Sequence, residues 1–153
     1  MLQAGDFVGL TVGISARYWG LFQCKSGAGN VTISEIVFSK EGSPLTPDAA
    51  AASTEGFSTT AGNAFDGNPS VNWSANSGDN SPWIYADFTD PVSVDNVSLK
   101  TRSDGFYDQC PSFFLVCYSD NTKAWRPLAY VTLGSFTSAG QEQNADLPPS
   151  LLG

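Results

Sequence analysis

The sequence predicts an all-β chain, folded as an antiparallel jelly-roll sandwich. Three observations carry that reading. The apolar runs are short, and none repeats over a long 3.6-residue period. Turn signals separate them, among them KSGAGN, KEGSPLTPD, FDGNP, SGDNSP, RSDGFYD and SDNTK. Charged residues make up only 14%, against roughly 25% in an average soluble chain, with small polar and turn-forming residues in their place. Several short strands joined by many turns belong to sandwiches and jelly rolls.

The elements follow in order. ARYWGLFQC (16–24) alternates bulky residues as a strand does. VTISEIVFS (31–39) alternates at Val31 and Ile33, then slips by one residue before Ile36 and Phe38, as a bulge would make it do. TPDAAAASTEG (46–56) is the one helix candidate: Pro47 and the alanines favour a short turn of helix, which Ser-Thr-Glu-Gly would stop. AFDGNPSVNW (64–73) is a tight-turn sequence with a tryptophan behind it. In WIYADF (83–88), Ile84, Ala86 and Phe88 share a face; in VSVDNVSLKT (92–101), Val97 and Leu99 do. SFFLVCYS (112–119) is apolar on both faces and reads as a central strand, and RPLAYVTL (126–133) closes the set. The expected core includes Ile84, Phe88, Val97, Leu99, Phe113 and Leu115. Trp19, Trp73 and Trp83 are expected to pack inside, with Trp125 at a sheet edge. The 153 residues suit one domain, with an arm over 1–15, the sandwich over 16–147 and a tail over 148–153.

Seven Lys and Arg against fifteen Asp and Glu leave a net charge of −8. That argues against nucleic acid and anionic lipid as partners, since both need a basic face. No segment approaches the ~20 apolar residues of a membrane span, and the first residues lack the basic start of a signal peptide. Cys24, Cys110 and Cys117 are expected as reduced, buried thiols, with a Cys110–Cys117 bridge as the alternative. There is no histidine, the commonest general base. Gly27 and Gly29 lack the lysine and helix of a phosphate loop, and nothing singles out a catalytic carboxylate pair. No enzyme is expected.

One loop stands out as a ligand surface. TRSDGFYDQC (101–110) joins two strongly apolar strands and is long for a hairpin. Arg102, Asp104, Asp108 and Gln109 offer hydrogen bonds, and Phe106 and Tyr107 offer flat apolar faces, the mixture a small polar ligand needs. The alternative is a loop whose aromatics bury against a neighbour.

The segments RYWGLFQ, TISEIVFS, AFDGNPSVNW, WIYADFTDPVSVDNVSLKTRSDG and QCPSFFLVCYSDNTKAWRPL, taken in this order over roughly 16–147, resemble a discoidin domain. Such domains, also called coagulation-factor type C, have a galactose-binding-like fold. The form with RYW and SEI ahead of AFDG resembles versions in bacteriophage tail and virion proteins. The resemblance implies an eight-stranded antiparallel sandwich without catalysis that binds ligands, often sugars, through loops at one end. It also implies a structural calcium in the FDGN loop, with Asp66, Asn68 and Ser70 as ligands here. Val71 stands where the family has a threonine, and the family's late glutamate falls on Gln141 or Glu142. The function expected on this basis is a structural virion module, a capsid decoration, tail or baseplate component docking on other virion proteins or on its own copies. The alternative is a module that attaches the virion to host glycans. Either way the location expected is the virion, after synthesis in the host cytoplasm.

Overall fold

The computed structural model describes residues 13–149. Eleven strands account for nearly all of its regular structure: β1 (Ser15–Lys25), β2 (Thr32–Ile33), β3 (Glu35–Lys40), β4 (Ser43–Leu45), β5 (Ala49–Ala52), β6 (Trp73–Ser74), β7 (Ile84–Ser93), β8 (Asn96–Lys100), β9 (Phe113–Ser119), β10 (Arg126–Thr132) and β11 (Glu142–Asp146). Two short 3-10 turns, 61–64 and 107–109, complete it. A five-stranded sheet, β10-β9-β1-β7-β5, faces a four-stranded sheet, β11-β8-β3-β4, and β2 pairs with β6 beside them. Every pairing is antiparallel. The expected β-sandwich is the fold observed.

The core lies between the sheets. Trp19, Leu21, Ile84, Ala86, Phe114 and Val116 reach it from the larger sheet; Ile36, Phe38, Val97 and Leu99 come from the smaller. Trp73 is fully enclosed and donates its indole N–H to the Thr54 carbonyl at 2.8 Å. The FDGN turn therefore leads into a strand whose first residue anchors the core.

Four expectations need correction. Residues 49–52 form β5 rather than a helix. The Asp48 N–H bonds the Asp87 carbonyl on β7 and the Ser53 N–H bonds the Trp83 carbonyl just ahead of it, so sheet pairing overrides alanine's helix propensity. The slip after Ile33 is not a bulge within one strand. β2 pairs with β6, the Ser34 N–H bonds the Lys100 carbonyl, and β3 pairs with β8: the chain changes sheets at Ser34. On β9, Phe114 and Val116 are the core residues, while Phe113 and Leu115 are half-buried on the outer face. Trp83 also lies outside, stacked on Phe22 and Tyr85 with centroids 5.8 and 5.7 Å away. Trp125 joins it there, 4.8 Å from Phe22. Bulges are present in β1 instead, where the register shifts between Ala16 and Tyr18 and between Phe22 and Lys25.

Of the expected arm, only residues 13–15 are described. They lead into β1, which starts at Ser15, and the Ile14 N–H bonds the Pro149 carbonyl of the expected tail. The remainder, 1–12 and 150–153, lies outside the described residues. All three cysteines are buried free thiols. Cys110 packs in the inter-sheet core, whereas Cys117 sits on the outward phase of β9 opposite Gly20, so the Cys110–Cys117 bridge is not formed.

Candidate functional site

Loops from three parts of the chain meet at one end of the sandwich. The 101–110 connection follows β8, the Gly56–Thr59 turn follows β5, and Asn30 precedes β2. Together they line a cavity of about 310 Å³ with Asn30, Phe57, Ser74, Arg102, Phe106 and Gln109. Two phenylalanines stand out of it, Phe57 at 70% exposure and Phe106 at 55%.

Each projection has a local cause. Phe57 and Ser58 both have left-handed backbones, with φ of 55° and 60°. Residues with a Cβ rarely adopt that conformation, and it costs of order 1–3 kcal/mol each unless the surroundings fix it. Here the Gly56 N–H bonds the Ser74 carbonyl, and Thr59 Oγ1 donates to the Gly56 carbonyl and accepts from the Ser74 N–H. Gly56 is required there, because an added Cβ would lie 2.9 Å from the Ala75 carbonyl oxygen. Phe106 is placed by Asp104, whose Oδ1 accepts the Phe106 N–H while its Oδ2 pairs with Arg102 at 2.6 Å. The Arg102 guanidinium lies 5.0 Å from the Phe106 ring centre. Burial acts to raise the Asp104 carboxyl, but the Phe106 N–H and Arg102 outweigh it and hold it below its ordinary range.

The floor is polar. Thr32 Oγ1 is 2.9 Å from Ser74 Oγ and donates to Gln109 Oε1. Arg102 Nε is buried and has no hydrogen-bond partner. The structure thus brings Arg102, Phe106 and Gln109 together. Asp104 stands behind Arg102, and Tyr107 and Asp108 do not line the cavity. Phe57, Ser74 and Asn30 were missed by the sequence reading. The available signal was a lone aromatic between Gly56 and Ser58 in a polar stretch.

A second site lies at the FDGN loop. Asp66 Oδ1 accepts the Asn68 N–H, and Asn68 Oδ1 accepts the Ser70 N–H, so both side chains act as turn-forming caps. Ser34 Oγ donates to the Pro69 carbonyl at 2.9 Å. One glutamate beside this loop is Glu35. Its Oε2 accepts the Gly67 N–H, and its Oε1 is buried without a partner. Burial, then the neighbouring Asp66 carboxylate, push the Glu35 carboxyl up to about 7. Gln141 instead bonds Thr137, and Glu142 accepts from Ser98 on the four-stranded sheet. Glu142 also lines a cleft with Glu35, Gly67 and Pro69, so the expected late glutamate and Glu35 both stand beside the loop; Glu35 reaches it because β3 starts where the chain changes sheets.

Two adjacent carboxylates with one orphaned oxygen fit a hard cation. Among the described residues no three Cys, Asp or Glu side chains gather closely enough to hold a metal. Calcium here would draw its remaining oxygens from Asn68, Ser70 and loop carbonyls. Among the described residues, no helix is long and apolar enough to cross a membrane.

The F5/8 type C domain model matches residues 49–152. Comparisons with curated proteins and with solved structures give no match. The matched span holds β5 to β11, yet β1 and β3 from outside it occupy interior positions in the two sheets. Domains of this kind are generally non-catalytic and often bind carbohydrate or protein. With the match covering more than half of its length, the chain belongs to the F5/8 type C, or discoidin, domain family.

Proposed function

We propose that this chain is a non-catalytic carbohydrate-binding module that takes a sugar at the loop end. The observation that carries this is the pair of exposed phenylalanines, Phe57 and Phe106, flanking a cavity floored by Arg102, Gln109, Ser74 and Asn30. Sugar rings present apolar C–H faces and peripheral hydroxyls, and such a site offers stacking surfaces above and hydrogen-bonding groups below. The strained backbone under Phe57 supports the reading, because strain of this kind collects at ligand-contacting positions. The test is binding to an immobilised glycan panel by the wild type and by the Phe57→Ala/Phe106→Ala double variant. Loss of binding with an unchanged melting temperature supports the proposal; equal binding by both proteins refutes it.

Calcium at Asp66, Asn68, Ser70 and Glu35 has a structural role in this reading. It would hold the FDGN loop against β3 and supply no chemistry to the ligand site. A second reading, docking within a bacteriophage virion, draws support from the aromatic outer face of the five-stranded sheet. Both roles are compatible, because the loop end and that face are separate surfaces.

A further inference from the structure

The outer face of the five-stranded sheet is unusually apolar for a surface turned away from the core. Tyr18 and Phe22 on β1, Tyr85 on β7, and Trp83 and Trp125 beside them form one contiguous cluster, with ring centres 4.8–6.5 Å apart. Gly20 lies beneath it. A Cβ there would come within 2.8 Å of the Phe22 ring and 2.9 Å of Tyr85 Cβ, so the aromatics close directly over bare backbone. Towards the β10 edge the apolar surface continues through Leu115 to Phe113, which is stacked at 5.5 Å on Tyr130. Tyr130 is 64% exposed.

Charge separates this face from the rest of the chain. The protein carries −8 overall. The five strands of this sheet hold three cations, Arg17, Lys25 and Arg126, and only two carboxylates, Asp87 and Asp90. Asp87 is neutralised by a two-pronged pair with Arg17, at 2.8 and 3.0 Å. The outer face of the four-stranded sheet instead presents Glu142 and Asp146, with Asp95 3.9 Å from Lys40, around a cavity of about 810 Å³. Two copies of a chain this acidic repel each other through most orientations. The five-stranded face is where they can meet with few opposing carboxylates, Asp90 being the strand carboxylate outside the ion pair with Arg17, and a two-fold contact needs a patch that tolerates itself.

The size also fits. Five strands about 4.8 Å apart and seven residues rising about 3.4 Å each give a projected face on the order of 500 Å². An area of that order per partner lies below the roughly 800 Å² of a standard contact and in the range of weak, reversible ones. We infer that this face is the interface of a homodimer, a second copy of this chain packing its own five-stranded sheet against it, with Tyr130 and Phe113 at the contact.

The experiment is sedimentation equilibrium on the whole chain, from about 1 to about 100 µM, a range that brackets micromolar affinities. The wild type is expected to show a monomer–dimer equilibrium. Tyr130→Glu introduces a carboxylate at an exposed position and should weaken association by about 30-fold or more, as loss of an aromatic anchor does. Phe106→Glu, at the loop end, should leave association unchanged. Circular dichroism checks that both variants fold. A wild type that stays monomeric throughout overturns the inference. So does Tyr130→Glu dimerising as tightly as wild type, or Phe106→Glu being the variant that dissociates.

Discussion

Replacing Glu35 with glutamine separates the two roles of its carboxyl. In the metal-free protein this group has its pKa pushed from 4.5 up to about 7. A carboxyl raised in this way binds its proton more tightly in the folded state. Its contribution to stability is complete below pH 4.5 and is lost as pH rises through 7. At 1.36 kcal/mol per unit, the loss is on the order of 3 kcal/mol. Glu35→Gln removes this titration and keeps the shape, so in chelator its stability should lack that fall. Asp87 shifts the other way, held low by its hydrogen bond to Arg17. Its contribution is present above 3.8 and is lost as pH falls below that value, outside this window, and both proteins share it. Calcium reverses the comparison. It favours both carboxylates ionised, and at 100 times its dissociation constant it should add about 2.7 kcal/mol to the wild type. The gain should be large at pH 8 and should shrink at pH 5, where the proton competes. The variant, with one carboxylate gone, should gain much less. The assay is urea unfolding of both proteins at pH 5 and pH 8, each with calcium and with chelator. Matching pH slopes and matching calcium gains in the two proteins would refute the assignment of Glu35 to this site.

The fold makes three further predictions. Val116→Ala, inside the core, should cost about 1.5–3 kcal/mol, whereas Leu115→Ala, on the outer face, should cost less although it removes more atoms; denaturant titration compares the two. Gly20→Ala should destabilise by about 1–3 kcal/mol, since its methyl group overlaps Phe22 and the Tyr85 Cβ, and near-UV circular dichroism should report displaced aromatics. Arg17→Ala should lower stability only slightly, because the pair with Asp87 is part-exposed and screened by water; a melting temperature as low as that of Val116→Ala would mean that the outer face is more buried than its side chains indicate.

The sandwich was legible because alternation and turn chemistry are local signals. Ile84, Ala86 and Phe88 share one face with polar or half-buried residues between them, and that phase is correct. β9 shows where the signal fails. Phe113 to Cys117 are apolar in both phases, so nothing in the strand says which phase faces in. The choice is made by its pairing partners, β10 in the next hairpin and β1 far earlier in the chain. The alanines of β5 carry a helix preference that pairing with β7 cancels. At the site, Arg102 and Phe106 were readable because their loop is long and chemically mixed. Phe57 lies 45 residues earlier in the chain, in a turn whose left-handed backbone has no glycine at Phe57 or Ser58 to announce it. Glu35 was hidden for a related reason. The change of sheets at Ser34 carries it to the FDGN loop, and a strand read as continuous with a bulge leaves no cause for it to be there.

The most direct test of a sugar site at the loop end is to map a bound sugar on the protein itself. A glycan selected from the panel would be titrated into isotopically labelled protein, following backbone amide shifts by NMR. A sugar site at the loop end predicts saturable shifts confined to Asn30, Gly56–Thr59, Ser74 and Arg102–Gln109, absent in the Phe57→Ala/Phe106→Ala variant. Shifts centred on the outer face of either sheet, or the same saturable shifts in that variant, would contradict it.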